Sequence, residues 1–272
     1  MHEPTVWQAL ILGILQGLTE FLPVSSSAHL SLTPWVMGWP PSGLGFDVAL
    51  HVGTLVALLG YFRAEWMRLI GGGVKLLRTR RAEGIDERQA LFIVIATIPA
   101  GIAGLLLEDL AETVFRAPIV TAIALIVMGV LLWAVDARAP RARDRAAMTW
   151  RDALLIGLAQ CLALVPGVSR SGSTITAGRA LGIDRANAAV FSFLMSMPII
   201  LAAAILKVPD ALRESGVSLP LLVGVAAAAG SSWLAIAVLL RFVQRRSYAV
   251  FAGYRLLLGA VILGLIATRG GW

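Results

Sequence analysis

Two short polar stretches hold the residues able to do chemistry. The first reads Gln16-Gly-Leu-Thr-Glu20-Phe-Leu-Pro23-Val-Ser25-Ser26-Ser27-Ala-His29. Gln16 and Glu20 are four residues apart, so a helix places both side chains on one face. Pro23 breaks that helix, and the serines after it are suited to cap the next one. A helix N-terminus lined in this way offers free N–H groups and a positive dipole end, which suit a phosphate. His29 falls about one turn into the second helix, with an imidazole able to exchange protons near neutral pH. The second stretch reads Pro166-Gly167-Val-Ser169-Arg170-Ser171-Gly172-Ser173-Thr174. Pro166 and Gly167 end a helix and allow a tight turn, and the hydroxyl residues can cap the helix that follows. Arg170 supplies a permanently charged fork that matches phosphate oxygens.

Each residue also has a plainer reading. Serine runs often do no more than cap helices, an arginine between apolar segments can snorkel to an interface, and a histidine can be a buried packing partner. A carboxylate in an apolar segment costs about 2.5–3.5 kcal/mol on insertion scales, which argues that Glu20 is there to act. The convergence of these residue types within two short loops favours phosphoryl chemistry over capping alone.

The elements that must position these loops are strongly apolar. Of 272 residues, 58% are hydrophobic and 14% charged, against roughly 25% charged in soluble domains. Uninterrupted runs such as Leu91 to Leu107 and Pro118 to Val135 approach or match the roughly 17–25 residues of a membrane-crossing helix. The reading is an all-α polytopic membrane protein, and a large soluble core is excluded. Six segments are long enough to span, near 46–62, 89–107, 118–136, 187–206, 219–242 and 250–267. Four others, near 6–21, 26–38, 152–165 and 172–182, are short or interrupted and pair around the two polar loops as re-entrant helices.

The net charge of +7 does not point to nucleic acid, because the basic residues cluster between apolar runs. Arg63, Arg68, Lys75, Arg78, Arg80, Arg81 and Arg88 form one cluster, Arg138, Arg141, Arg143, Arg145 and Arg151 a second, and Arg241, Arg245 and Arg246 a third. Such clusters mark cytoplasmic loops. Cys161 is the single cysteine, so no intrachain disulfide forms. The N-terminus lacks a basic region and a cleavage site, and the first helix is expected to be retained.

A shift of 144 residues lays one short pair over the other. Gly13 falls on Gly157, Gln16 on Gln160, Leu18 on Leu162, Val24 on Val168, Ser25 on Ser169 and Ser27 on Ser171. With the basic loops cytoplasmic, the acidic positions Glu108, Asp109 and Glu112 and those at Asp210 and Glu214 fall outside, as do both termini. The two pairs then enter from opposite faces, which defines an inverted-topology repeat with its site near the midplane. The expected organisation is one integral membrane domain over 1–272, with a first repeat in 1–136 and a second in 150–272.

The paired motifs resemble the undecaprenyl-diphosphate phosphatase family, known also for bacitracin resistance. That family carries a Glu/Gln-x-x-x-Glu motif followed by a loop with Ser and His, and a Pro-Gly-x-Ser-Arg-Ser-x-x-Thr motif. They stand here as Gln16 to Glu20, Ser25 to His29 and Pro166 to Thr174. The resemblance implies that Arg170 binds the diphosphate, that Ser26 is nucleophile or phosphate ligand, that His29 is the acid–base group and that Glu20 is the essential acid. It also implies that Ser169, Ser171 and Thr174, with Gln16, Ser25 and Ser27, line the phosphate site. Gln16 is the neutral option at its position, which weakens a metal site of two carboxylates. Glu20 stays the one candidate ligand for Mg²⁺ or Ca²⁺.

The implied reaction turns undecaprenyl diphosphate into undecaprenyl phosphate and inorganic phosphate on the outer side of the inner membrane. It returns the carrier lipid to peptidoglycan synthesis and confers bacitracin resistance. Attack by Ser26 with His29 relaying the proton, and direct attack by water activated by His29 or Glu20, both stay open. The rival reading is a lipid-phosphate flippase or transporter, which needs the anion site and the repeat but no nucleophile. The partners are a polyprenyl diphosphate and the bilayer. Gly101, Gly104 and the stretch from Gly224 to Gly230 would allow close helix packing within one chain or in a homodimer. Asp47, His51, Glu65 and Arg179 are set outside the site.

Overall fold

A computed structural model describes residues 4–107 and 117–269, which form helices joined by short turns. Helix α1 (Val6–Phe21) begins at a capping box in which Thr5 and Gln8 satisfy each other's backbone N–H groups, and it ends just before Pro23. At 1.5 Å per residue its length is about 24 Å, short of the roughly 30 Å hydrocarbon core. Helix α2 (Ser26–Met37) is shorter still and stops at Gly38, whose positive φ of 65° accepts the left-handed turn. The second short pair repeats this plan. Helix α7 (Trp150–Cys161) opens on a capping box of Thr149 and Asp152 and runs into a 3₁₀ turn, Leu162–Leu164. Helix α8 (Arg170–Ala180) is followed by Gly182 at φ 80°. Thr5 and Thr149, Ser25 and Ser169, and Gly38 and Gly182 are each 144 apart, so the shift seen in the loops extends to the N-caps of all four helices and to the stops of α2 and α8.

Among the described residues, five helices are long and apolar enough to cross a membrane. They are α5 (Ile85–Leu106), α6 (Pro118–Arg138), α9 (Arg185–Ser215), α10 (Leu219–Arg245) and α11 (Ala249–Arg269). The pair formed by α3 (Leu44–Tyr61) and α4 (Arg63–Thr79), bent by 83° at the break between them, passes the same test of length and composition as a broken span or a re-entrant loop. The exterior confirms the membrane setting. Val94, Ile98, Ile102 and Leu105 form one exposed stripe on α5, and Ile119, Ile123, Val127 and Val130 another on α6. Exposed apolar surface on this scale marks a lipid or partner interface, while Gln16, Glu20, His29, Arg179 and Arg255 are buried inside.

The halves interlock by exchange. Helix α1 packs on α10 and α7 on α5, while α3 meets α9 and α6 meets α11. The close approach of the short helices requires glycine at matched places. A Cβ on Gly13 would sit 2.3 Å from the Gly224 carbonyl oxygen, and one on Gly157 would sit 2.5 Å from that of Ala96. Above α1, Phe21 packs edge-to-face on Phe193 of α9 at 5.1 Å between ring centroids. This contact anchors the backbone next to Glu20.

Two expectations are revised, and Arg179, set outside the site, has a structural place. The basic cluster from Arg63 onward is a helix, α4, rather than a loop. Its apolar residues Met67, Ile70, Val74 and Leu77 recur at helical spacing on one exposed side, a pattern that the interspersed charges hide from a search for spans. Helix α9 continues beyond 206 to Ser215, so positions 210 and 214 fall in a helix end rather than a loop. At about 46 Å it exceeds the hydrocarbon thickness. Arg179 is a fully buried tie. With Arg185 it holds Asp136 of α6, at 2.9 and 2.8 Å, and Asp136 also accepts from the Tyr248 backbone N–H at 3.0 Å. The acidic positions Glu108, Asp109 and Glu112 lie outside the described residues.

Candidate active site

The two polar loops meet where α2 and α8 begin. Ser25 and Ser169 are the N-caps, and each adopts a positive φ, 75° and 69°, that is uncommon for a residue with a side chain. Such a conformation costs on the order of 1–3 kcal/mol and persists only where the surroundings enforce it. Here the enforcement is mutual. The Ser25 hydroxyl accepts from the backbone N–H of Ala28 at 3.4 Å and from that of Gly167, in the other loop, at 3.2 Å. Ser169 accepts from the Gly172 N–H at 3.1 Å, and Ser171 donates to the Leu22 carbonyl at 3.0 Å. Both helices therefore start at one junction, with their positive dipole ends brought together.

Beneath the junction lies Arg255 of α11, fully buried. Its guanidinium donates to carbonyl oxygens of both loops, Pro23 at 3.1 Å, Gly167 at 2.8 Å and Val168 at 2.9 Å, and to that of Leu125 at 3.3 Å. A buried cation held by carbonyl dipoles stitches the loops and adds positive charge below them.

Glu20 is the hub of the side-chain chemistry. One carboxylate oxygen forms an ion pair with Arg170 across the junction. The other accepts from the Ser26 hydroxyl at 2.7 Å and from the Gln16 amide at 3.0 Å. The His51 Nε2 lies 3.5 Å away. His29 is turned elsewhere. Its Nδ1 is 2.7 Å from the Ser25 carbonyl oxygen, and its Nε2 is 2.6 Å from the Tyr254 hydroxyl. Because a carbonyl can only accept, Nδ1 carries the proton in the neutral ring, and Nε2 receives the phenol's hydrogen bond.

The structure thus brings together Gln16, Glu20, Ser26 and Arg170, with Ser25 and Ser27 sharing a hydrogen bond of 3.1 Å beside them. Ser169 and Ser171 are buried and join hydroxyls at 3.2 Å, and Thr174 is committed to the Arg170 carbonyl at 2.8 Å and to Ser192 at 2.6 Å. These three shape the loop that carries Arg170. His29 is not the partner of Ser26, whose hydroxyl is taken by Glu20. Three residues outside the expected set belong here, namely His51, Tyr254 and Arg255. Arg255 had a legible signal, since an arginine in the middle of an apolar span is costly. His51 had the same signal, an ionisable side chain inside an apolar run, and was set outside the site, while Tyr254 had none beyond its type.

Glu20, the expected metal ligand, is held by protein partners. Both oxygens of Glu20 are engaged by protein donors, and among the described residues no group of three or more His, Cys, Asp or Glu side chains could hold a metal. Mg²⁺ is commonly held through one or two carboxylates together with water and substrate phosphates, so at this donor set an ion would depend on the diphosphate for most of its ligands.

Fold and site together define a class: a multi-pass membrane protein with a Ser–Glu–Arg centre at two converging helix N-termini. A family model described as bacitracin resistance protein BacA matches residues 9–261, and the chain belongs to that family. It is 64% identical over 265 residues to a Gemmatimonas aurantiaca protein named undecaprenyl-diphosphatase, covering 97% of this chain and 99% of that protein. Proteins of the same name from Geobacter sulfurreducens and Pelotomaculum thermopropionicum are 50% and 48% identical, over 97% of this chain in each case and 99% and 98% of theirs.

Proposed function

We infer that this chain is a membrane phosphatase that hydrolyses undecaprenyl diphosphate to undecaprenyl phosphate and inorganic phosphate. The observation that carries the reading is the Ser26–Glu20–Arg170 group at the shared start of α2 and α8. The lipid chain stays in the bilayer while the diphosphate sits at the junction, where Arg170, the underlying Arg255 and two helix dipoles oppose its charge. Phosphoryl transfer depends mainly on such positioning and charge stabilisation.

Ser26 then attacks the terminal phosphorus. Its Oγ–P bond forms as the bridging P–O bond breaks, the hydroxyl proton passes to Glu20, and undecaprenyl phosphate departs. Water next attacks the phosphoserine, and Ser26 recovers its proton from Glu20 as phosphate leaves. Arg170 has donors enough to hold a carboxylate and a phosphate. As the phosphate draws on that cation, Glu20 becomes the better proton acceptor. A flippase explains the exchanged halves but gives the hydrogen bond between Ser26 and Glu20 no task. The test is release of phosphate from a polyprenyl diphosphate by purified protein. Wild type should turn over, Arg170→Ala should not, and acid-quenched reactions should yield phosphoserine at position 26. Full turnover by Arg170→Ala would remove the second loop from the reaction.

The roles of Gln16, Ser25, Ser27, Ser169, Ser171 and Thr174 follow from the same reading as holding the loops in shape around the phosphate. No residue is assigned to Mg²⁺ or Ca²⁺, which would travel with the diphosphate they neutralise, and EDTA followed by readdition of either ion tests this. The repeats 1–136 and 150–272 are proposed as inverted copies, supported by matched caps and exchanged packing. The proposed location is the inner membrane with the site open to the periplasm, supported by the basic clusters and tested by labelling cysteines placed in each loop. A homodimer is proposed through the α5 face that carries Gly101 and Gly104, where a Cβ would meet nothing within 4 Å. Crosslinking from that face tests it.

A further inference from the structure

Tyr254 stands at an unusual place for a polar group. It belongs to the outward stripe of α11 formed with Val250, Leu257 and Val261, and it is 43% exposed, whereas the His29 it touches is 7% exposed. The two rings are stacked nearly parallel, 5.6 Å apart at an angle of 6°. The phenol donates to Nε2 at 2.6 Å, and the opposite ring nitrogen is locked on the Ser25 carbonyl at 2.7 Å. His29 lies three residues after Ser26, so the two are neighbours on one side of α2. The basic nitrogen of His29 is thus covered by the hydroxyl of a residue that is itself partly exposed.

We propose that Tyr254 is the group through which His29 acts, relaying a proton from the water that hydrolyses the Ser26 phosphoester. This rests on the phosphoserine route above. In the step, the water oxygen bonds to phosphorus and the P–Oγ bond of Ser26 breaks. The water proton passes to the phenol oxygen while the phenol proton passes to Nε2 of His29, and Oγ takes back the proton held by Glu20. The imidazolium then returns its proton through Tyr254 to the phosphate product or to solvent. The division of labour follows from the contacts, with Glu20 serving the serine and the His29–Tyr254 pair serving the water. The charged groups of the surrounding elements, Glu20 of α1, Arg170 of α8 and Arg255 of α11, are engaged with one another or with loop carbonyls. Among the described residues, the hydrogen-bond partners of the two rings are each other and the Ser25 carbonyl.

Tyr254→Phe removes only the hydroxyl and keeps the ring that stacks on His29. In full-length protein in detergent, rapid-quench assays with polyprenyl diphosphate should show a burst of lipid monophosphate and accumulated phosphoserine. Steady turnover should fall about 100-fold, the low end for loss of one proton-transfer group, with KM falling alongside it as the phosphoenzyme accumulates and the thermal midpoint nearly unchanged. His29→Ala, run beside it, should show the same burst, and the double variant should be no slower than His29→Ala. Wild-type turnover in Tyr254→Phe, or a loss with no accumulated phosphoserine, overturns the proposal. Losses that multiply in the double variant overturn it too. If Ser26→Ala turns over normally, the phosphoserine route itself has failed, whatever Tyr254→Phe does.

Discussion

If Glu20 is the proton acceptor for Ser26, the two side chains must behave as a single unit. The perturbation is a cycle of Ser26→Ala, Glu20→Gln and the double variant. The hydroxyl sits 2.7 Å from the carboxylate oxygen, within the range for direct proton transfer. Loss of a positioned general base costs about 10²–10⁴-fold, or roughly 2.7–5.4 kcal/mol of barrier at 1.36 kcal/mol per decade. Glutamine at position 20 can keep the local structure. Its amide oxygen can accept from Arg170, and its NH₂ can donate to Gln16, whose buried Oε1 has no partner among the described residues. Each single variant should therefore lose at least about 100-fold in kcat, with thermal midpoints close to wild type. The double variant should be no more than a few-fold slower than Ser26→Ala, because groups that act together are far from additive. Phosphate release at saturating lipid, alongside a melting curve in detergent, measures all four proteins. Turnover in Glu20→Gln near the wild-type rate would refute the assignment of the base. Losses that multiply in the double variant would refute the unit.

Further outcomes follow from packing and charge. Asp136→Asn leaves Arg179 and Arg185 buried without their carboxylate, and breaking such a pair costs about 3–5 kcal/mol. A marked fall in thermal midpoint is expected, with kcat per folded molecule unchanged. Gly157→Ala should cost about 1–3 kcal/mol through overpacking, because its Cβ would meet the Ala96 carbonyl oxygen at 2.5 Å. Gly264→Ala, with nothing near its Cβ, should be neutral or slightly stabilising, and melts of the two variants in one detergent check the contrast. EDTA should leave the protein's melting curve unchanged even where it slows turnover, since no residue is assigned to hold the ion.

The membrane-embedded helical fold, the two loops and the residue types of the site were legible in the sequence because each is a local property. Apolar runs report burial in lipid through their length alone. Pro23, Pro166 and Gly167 mark where helices must break, and the 144-residue shift relates matched loops without any knowledge of contacts. Helix α4 escaped notice because an amphipathic helix lying against charges does not look like a span. Which groups touch was decided only in three dimensions. Ser26 is three residues from His29 but bonds to Glu20, six residues earlier, because Ser25 at positive φ starts α2 on a course that presents Ser26 back toward α1. Arg170 reaches Glu20 across 150 residues, and Tyr254 reaches His29 across 225. Such pairings depend on how the halves exchange helices, and that is set by the fit of Gly13 and Gly157 against opposite partners. Local patterns named the chemistry, and the packing of one half into the other chose which base serves which proton.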